Sequence, residues 1–210
     1  MYFSITYTFK PQSRNLGYVP YYERLIKTYN PTEAHVISGL FECYVTPCAH
    51  IIIGKVSDRV TSTPLETVIP VFLLNQIRQL CIFVQSMLEG NEIHYPEVHE
   101  SIFVLSFILS FDGLLTEESM LKFGKFVKLL SNWVVIDAPG ILAKAGQLTG
   151  TLPTPYDFRF DVNEAQWIPW TQKIENYQTP INTEFSSIIV QTYDVVRNDF
   201  LLQSITKTAK

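Results

Sequence analysis

Cysteine is scarce in this chain of 210 residues, which contains three: Cys43, Cys48 and Cys81. An odd number in a chain of this size indicates reduced thiols of a cytosolic protein, buried in the core as small hydrophobic side chains. The sequence also lacks an Asn-x-Ser/Thr glycosylation acceptor, because Asn30 is followed by Pro31. Both absences argue against a secreted protein built on a disulfide framework.

Long hydrophobic runs and blocks of positive charge are missing as well. The most apolar stretch, residues 102–111, is about half as long as a membrane-spanning helix must be. The first ten residues alternate between polar and apolar side chains and do not form the core of a signal peptide. A net charge of −4 without a Lys/Arg cluster disfavours nucleic-acid binding. We therefore expect a soluble, intracellular chain with neither a nucleic-acid nor a membrane partner.

What the sequence does contain is a globular composition, with 47% hydrophobic and 17% charged residues. Helical periodicity dominates residues 18–135. A short helix is predicted near Pro20, and a second begins at Asn30, which offers a capping side chain ahead of Pro31. Ile37 and Tyr44 continue this second helix, which is expected to break or restart at Pro47.

Three more helices are predicted before residue 135. The first spans residues 70–89, with Leu74 on its apolar stripe and Ser86 on its polar face. Residues 96–111 are apolar nearly all round, so this helix should be buried. Another helix begins at Thr116, with acidic residues first and Lys122, Lys125 and Lys128 later.

The last third of the chain has a different pattern. Residues 137–155 are rich in glycine and proline and form the predicted linker. Residues 156–161 and 166–171 are predicted as two short strands around a turn at 162–165. A strand at 185–190 and a helix from Tyr193 follow. The predicted fold class is α+β, mostly α: a helical bundle, a short β hairpin and a strand–helix unit.

Two Gly-Lys pairs are the nearest approach to a phosphate-binding loop, and neither has the flanking glycine and Ser/Thr. Gly54-Lys55 is interpreted as a chance pair, and Gly124-Lys125 lies within a helical pattern. His94 and His99, with glutamates nearby, straddle Pro96 at a spacing that matches no helical metal-ligand pair. A solvated helix start is the better interpretation. Trp167 and Trp170 are assigned to packing.

Several motifs, in order, resemble the dynein heavy chains. Residues 156–161 (YDFRFD), 167–170 (WIPW) and 187–202 (SIIVQTYDVVRNDFLL) resemble the stretch that enters the third AAA+ module of that family. Residues 16–18 (LGY), 40–45 (LFECYV), 77–81 (IRQLC) and 102–107 (IFVLSF) resemble, in the same order, segments that follow the second module. Residues 198–200 (NDF) are similar to axonemal heavy chains of the outer-arm gamma type. Gln191 replaces the family's usual proline.

This resemblance implies a fragment running from the lid of the second AAA+ module to the start of the third, ending before the phosphate-binding loop. Residues 1–17 would end the preceding core, 18–135 would form the helical lid, 136–155 the linker, and 156–210 the hairpin and strand–helix of the following module. The resemblance also implies that Ile188, Ile189, Val190 and Thr192 contact the adenine of ATP or ADP bound in the parent protein. A simple core strand remains the alternative for the two isoleucines.

As a dynein heavy chain, the parent would be an ATP-driven microtubule motor in the cytoplasm and cytoskeleton, at the axoneme of cilia or flagella. The implied partners are neighbouring AAA+ modules, the microtubule, and the dynein light and intermediate chains. The chain alone has no phosphate-binding loop or catalytic residues. The alternative is a stand-alone helical protein-interaction module without ATPase activity. Arg197 could pair with Asp194 or with a neighbouring module.

Overall fold

The computed structural model describes residues 19–48, 65–70, 72–91, 95–131, 154–174 and 191–208. This part of the chain contains six α-helices and one antiparallel hairpin, so the predicted class, α+β and mostly α, is confirmed. The helices are α1 (Val19–Ile26), α2 (Pro31–Leu40), α3 (Leu73–Leu88), α4 (Pro96–Phe111), α5 (Glu117–Leu130) and α6 (Tyr193–Thr208), and the strands are β1 (Phe158–Asp161) and β2 (Gln166–Pro169). The alternating segment at the start of the chain, the strand predicted at 185–190, Gly54-Lys55, His94 and nearly all of the linker lie outside the described residues.

Helix α2 begins as predicted. The Asn30 side chain accepts a hydrogen bond from the Glu33 N–H at 2.9 Å, and Pro31 occupies the first turn. Of the two outcomes predicted at Pro47, the break is wrong, whereas α-helical backbone does restart one residue earlier, at Thr46. A π-helical turn, Phe41–Val45, follows α2, and helical backbone then continues through Pro47 to Cys48. Because the π turn shifts backbone pairing from four residues to five, the carbonyls ahead of Pro47 are already out of α-helical register and the proline ring is accommodated.

Helix α3 has a wider buried surface than the sequence pattern predicts. Ile77 and Val84 on the expected stripe are buried, but so is Ser86, whereas Leu74 is 43% exposed. The placement of Leu74 and Ser86 was therefore wrong. The reason is tertiary, because α3 packs on three helices, α1, α4 and α6. A helix with several neighbours buries residues that a single-face pattern assigns to solvent.

Helix α4 is buried on all sides, as its composition predicted, with twelve buried residues. Two of the buried hydroxyls are satisfied within the helix: the Ser106 hydroxyl donates to the Ile102 carbonyl at 2.8 Å, and the Ser110 hydroxyl donates to the Ser106 carbonyl at 2.7 Å. His99 is buried, with its Nδ1 atom 3.2 Å from the Tyr95 carbonyl. Helix α4 thus forms the centre of the bundle.

An aromatic cluster joins α4 to its neighbours. Phe107 lies 5.9 Å from Tyr44 of the π turn, 5.0 Å from Phe111 and 5.5 Å from Phe123 of α5, between ring centroids. The Tyr44 hydroxyl donates to Glu100 Oε1 at 2.7 Å. Burial, and then the negative charge of Glu100, raise the pKa of Tyr44, so this hydroxyl stays protonated and remains a donor. The cluster ties the π turn and α5 to the central helix.

The three cysteines differ in exposure, and the expectation that all are buried was wrong for Cys43, which is exposed on the π turn. Burial raises the pKa of Cys81 to about 12 and also raises that of Cys48. We expect iodoacetamide to alkylate Cys43 first. Cys48 and Cys81 should react at least roughly a hundredfold more slowly, because the reagent reaches them only after local opening of the structure. Peptide mass spectrometry reports each site, and the same reaction in urea is the control, where all three should react. Equal native rates for Cys43 and Cys48 would contradict the structure.

Candidate functional site: the junction of the bundle, the hairpin and α6

The hairpin presents an aromatic face to the rest of the molecule. In the β1–β2 register, Phe158 pairs with Pro169 and Phe160 pairs with Trp167. All four side chains are buried on one face, since alternate residues of a strand point the same way. Trp170 follows β2 and is 1% exposed. The assignment of Trp167 and Trp170 to packing is confirmed.

Both strands are shorter than predicted because short helical turns bound them. Residues 155–157 form a 3-10 turn, which Thr154 caps by donating from its N–H and its hydroxyl to Asp157 Oδ2 at 2.6 and 2.9 Å. After Pro169 the chain enters another 3-10 turn, Trp170–Lys173. These turns carry Tyr156 and Trp170 toward the bundle and α6.

The hairpin turn at 162–165, placed correctly from the sequence, is organised by Asp161. Its Oδ1 atom accepts the N–H groups of Asn163 and Glu164 at 3.1 and 3.4 Å. Its Oδ2 atom lies 3.4 Å from Arg159 Nη2. The turn closes at Ala165 with φ +50°, a left-handed conformation that costs a residue with a Cβ atom free energy.

Replacing Ala165 by glycine should therefore stabilise the chain by about 1 kcal/mol, because glycine adopts positive φ without steric conflict. The measurement is the midpoint of urea unfolding followed by circular dichroism. The matched control is Ala34→Gly in α2, where helical backbone makes glycine unfavourable by about 1 kcal/mol. Destabilisation by both substitutions would show that Ala165 is not left-handed in solution.

Tyr156 connects the 155–157 turn to α5. Its hydroxyl donates to the Met120 carbonyl at 2.7 Å, and its side chain is buried. The ring approaches closely because residue 124 is glycine: a Cβ atom there would lie 3.2 Å from Tyr156 Cε2 and 3.4 Å from Pro155 Cδ. The helical placement of Gly124-Lys125 is confirmed. Because Gly124 has no side chain, the Tyr156 ring has room to pack against α5.

Helix α6 is held at three places. The Tyr193 hydroxyl donates to the Tyr156 carbonyl, and the Trp170 ring packs edge-on against Phe200 with centroids 5.3 Å apart. The body of α6 packs on α3. Arg197, for which the sequence left two partners open, has its guanidinium 5.9 Å from the centroid of the Tyr193 ring. The last helix is thus attached to the bundle and the hairpin together.

Of the four sequence-predicted site residues, Thr192 is described and Ile188, Ile189 and Val190 lie outside the described residues. Thr192 has an exposed side chain and begins α6: its Oγ1 accepts the Val195 N–H at 3.4 Å and its carbonyl accepts the Val196 N–H at 3.1 Å. Sequence reasoning missed Tyr156 and Tyr193 as a pair. They are 37 residues apart, and no local pattern indicates their contact.

A cavity of about 220 Å³ lies where α3, the hairpin and α6 meet. Its lining is mixed and includes Ser86, Arg159, Asp161, Phe200 and Lys207. Across the described ranges, no three His, Cys, Asp or Glu side chains are grouped so that they could hold a metal ion. Nor does any helix in that part of the chain have the length and hydrophobicity to cross a membrane. The junction thus joins α3, the hairpin and α6, with a cavity of mixed polarity at its edge.

Comparison of the sequence with known proteins points to one family. The model of the "Dynein heavy chain AAA lid domain" family matches residues 37–172. The chain is 32% identical over 195 residues to human dynein axonemal heavy chain 10, and 29% identical over 204 residues to the Dynein-1-alpha heavy chain, flagellar inner arm I1 complex, of Chlamydomonas reinhardtii. These alignments cover 92% and 94% of this chain but 4% of each relative, so the chain spans a small part of their length. The chain belongs to the dynein heavy chain AAA lid domain family.

Proposed function

We propose that this chain is the lid of the second AAA+ module, with the lead into the third, of an axonemal dynein heavy chain. Residues 18–135 would form the lid, 136–155 the linker and 156–210 the beginning of the third module, after a core ending at residue 17. The order of the sequence motifs supports this placement, as does the observed succession of helical bundle, hairpin and α6. The names of the relatives support the axonemal assignment.

The observation that carries the proposal is the attachment of α6 to the bundle. Helix α6 packs on α3, and its first residue bonds to Tyr156, which in turn bonds to α5. A lid connected in this way to the start of the next module would transmit its position to that module. Such transmission is a population shift, because each lid position favours one arrangement of its neighbour.

The parent protein would bind ATP or ADP, with Ile188, Ile189, Val190 and Thr192 lining the adenine side of the third module. The exposed side chain of Thr192 at the start of α6 is compatible with a contact at the edge of a base. The described residues do not form a nucleotide site by themselves, and we derive no chemical step from them. Their role here is to hold the segment that carries Thr192.

At the level of the whole motor, we propose that the chain helps drive microtubule-based movement at the axoneme of a cilium or flagellum. Its direct partners would be neighbouring AAA+ modules of the same heavy chain. The microtubule and the dynein light and intermediate chains would be reached through other parts of the parent. These assignments follow from the family and from the axonemal and flagellar relatives.

Sequencing the full-length transcript across both ends of this reading frame tests the proposal. We expect the message to continue past Lys210 into a glycine-rich loop of the form G-x-x-x-x-G-K-[ST]. A stop codon directly after Lys210, together with a genuine start at Met1, would overturn the motor assignment for this product. The stand-alone interaction module would then be the better account.

A further inference from the structure

Tyr156 contacts both α5 and α6 and so joins the two helices. Its hydroxyl bonds to the Met120 carbonyl, and its ring lies against Gly124. Its own carbonyl accepts the Tyr193 hydroxyl at the start of α6. The carbonyl of Met120 can accept both this bond and the helical bond, since it has two lone pairs. Tyr156 is thus fixed from the α5 side and supports α6 through its backbone.

We propose that the Tyr193 hydroxyl is a positioning group that fixes Thr192 and the first turn of α6 relative to α5, with Tyr156 passing movement of α5 to that turn. This inference rests on the proposed function, because it makes Thr192 part of the nucleotide-facing segment of the following module. Tyr193 itself touches no nucleotide in this account. It acts through its neighbour, which is a positioning role.

The other attachments of α6 explain why one hydroxyl can have a local effect. Trp170 contacts Phe200, two turns further along, and α3 packs on the body of the helix. Both attachments persist when Tyr193 loses its hydroxyl, so α6 remains docked. The Tyr193–Tyr156 hydrogen bond holds the end of the helix, where Thr192 caps the first turn. Its loss should free that end and leave the remainder in place.

The first measurement is amide hydrogen exchange on the 210-residue chain carrying Tyr193→Phe. We expect exchange in the first turn of α6 to become about fivefold faster, the ratio that corresponds to one neutral hydrogen bond. Gly124→Ala tests the relay from the other side, because its new Cβ presses on Tyr156 while Tyr193 is intact. It should also speed exchange at the first turn of α6. Unchanged exchange there in either variant would overturn the inference.

The matched control is Tyr44→Phe, which removes another buried tyrosine hydroxyl bonded to a distant residue, Glu100. It should alter exchange in the π turn and α4 and leave the first turn of α6 unaffected. If Tyr44→Phe accelerated amide exchange in the first turn of α6 as much as Tyr193→Phe does, the effect would be general destabilisation. The positioning role would then be refuted.

The functional measurement uses the complete heavy chain, with the phosphate loops of the other modules inactivated, and titrates a fluorescent ATP analogue. We expect Tyr193→Phe to weaken binding of the analogue at the third module about fivefold. The affinity of the Tyr44→Phe variant should be close to that of the unmodified chain. Faster exchange with unchanged affinity would overturn the positioning role and leave the proposed function standing. Absence of analogue binding at this module in the unmodified heavy chain would instead overturn the proposed nucleotide role of Thr192.

Discussion

Replacing Phe107 by alanine is expected to lower the free energy of unfolding by about 4 kcal/mol. The side chain is 0% exposed at the centre of α4, so truncation removes a buried ring and leaves a cavity. The truncation also removes contacts with four aromatic rings, those of Tyr44, Phe103, Phe111 and Phe123. Such pairs contribute about 0.5–1.5 kcal/mol each beyond the area they bury. Since small domains are stable by about 5–15 kcal/mol, the loss is a large fraction of the total.

Urea unfolding of both proteins, followed by circular dichroism, measures this change. The matched control is Phe72→Ala, because Phe72 is 70% exposed ahead of α3. That substitution should change stability by less than about 0.5 kcal/mol. A Phe107→Ala effect no larger than the Phe72→Ala effect would mean that α4 is not the centre of the core.

Trp170→Ala is expected to have the second large effect, about 3–5 kcal/mol. The ring is 1% exposed and lies between the end of the hairpin and α6, in edge-on contact with Phe200. Its removal opens a void between two elements that belong to different parts of the sequence. We therefore expect a second consequence, faster amide exchange in the middle of α6, which Phe107→Ala should produce only through global unfolding.

Leu202→Ala is the control for this substitution. Leu202 belongs to the same helix but is 63% exposed, so its truncation should cost less than about 0.5 kcal/mol, apart from a small change in helix propensity. Comparable costs for Trp170→Ala and Leu202→Ala, without faster exchange in α6, would show that the hairpin does not hold the helix. Unfolding of both variants is followed by circular dichroism, so their unfolding curves are directly comparable.

Local signals predicted much of this fold. The capping side chain of Asn30 begins α2, and the nearly all-round apolar character of 96–111 identified a buried helix. The hairpin followed from two short aromatic segments around a polar turn at 162–165. In each case the information lies within a few residues of the feature that it specifies. Helix caps, periodicity and turn chemistry are therefore predictable from a single sequence.

Features that depend on tertiary neighbours could not be predicted in the same way. The burial of Ser86 depends on distant parts of the sequence, because Ser86 lies where α3 meets the hairpin and α6, whereas Leu74 is left exposed. The π turn at 41–45 depends on packing against α4, and it leaves Cys43 exposed. At the candidate site, Thr192 was predicted only through family resemblance. The Tyr156–Tyr193 contact had no sequence signal, because the two residues lie 37 positions apart.

The all-round burial of α4 imposes an order on biosynthesis. At roughly 5–20 residues per second, a ribosome adds the residues between the end of α4 and the end of α5 in about 1–4 seconds. Trp170 comes a few seconds later, and α6 later still. During this interval the twelve residues of α4 that are buried in the finished molecule have α2 and α3 as partners. Their contacts with α5 and β1 have not yet formed. In the living cell, nascent chains in which α4 has left the ribosome but α5 and β1 have not should therefore be the ones most heavily bound by chaperones that recognise apolar segments.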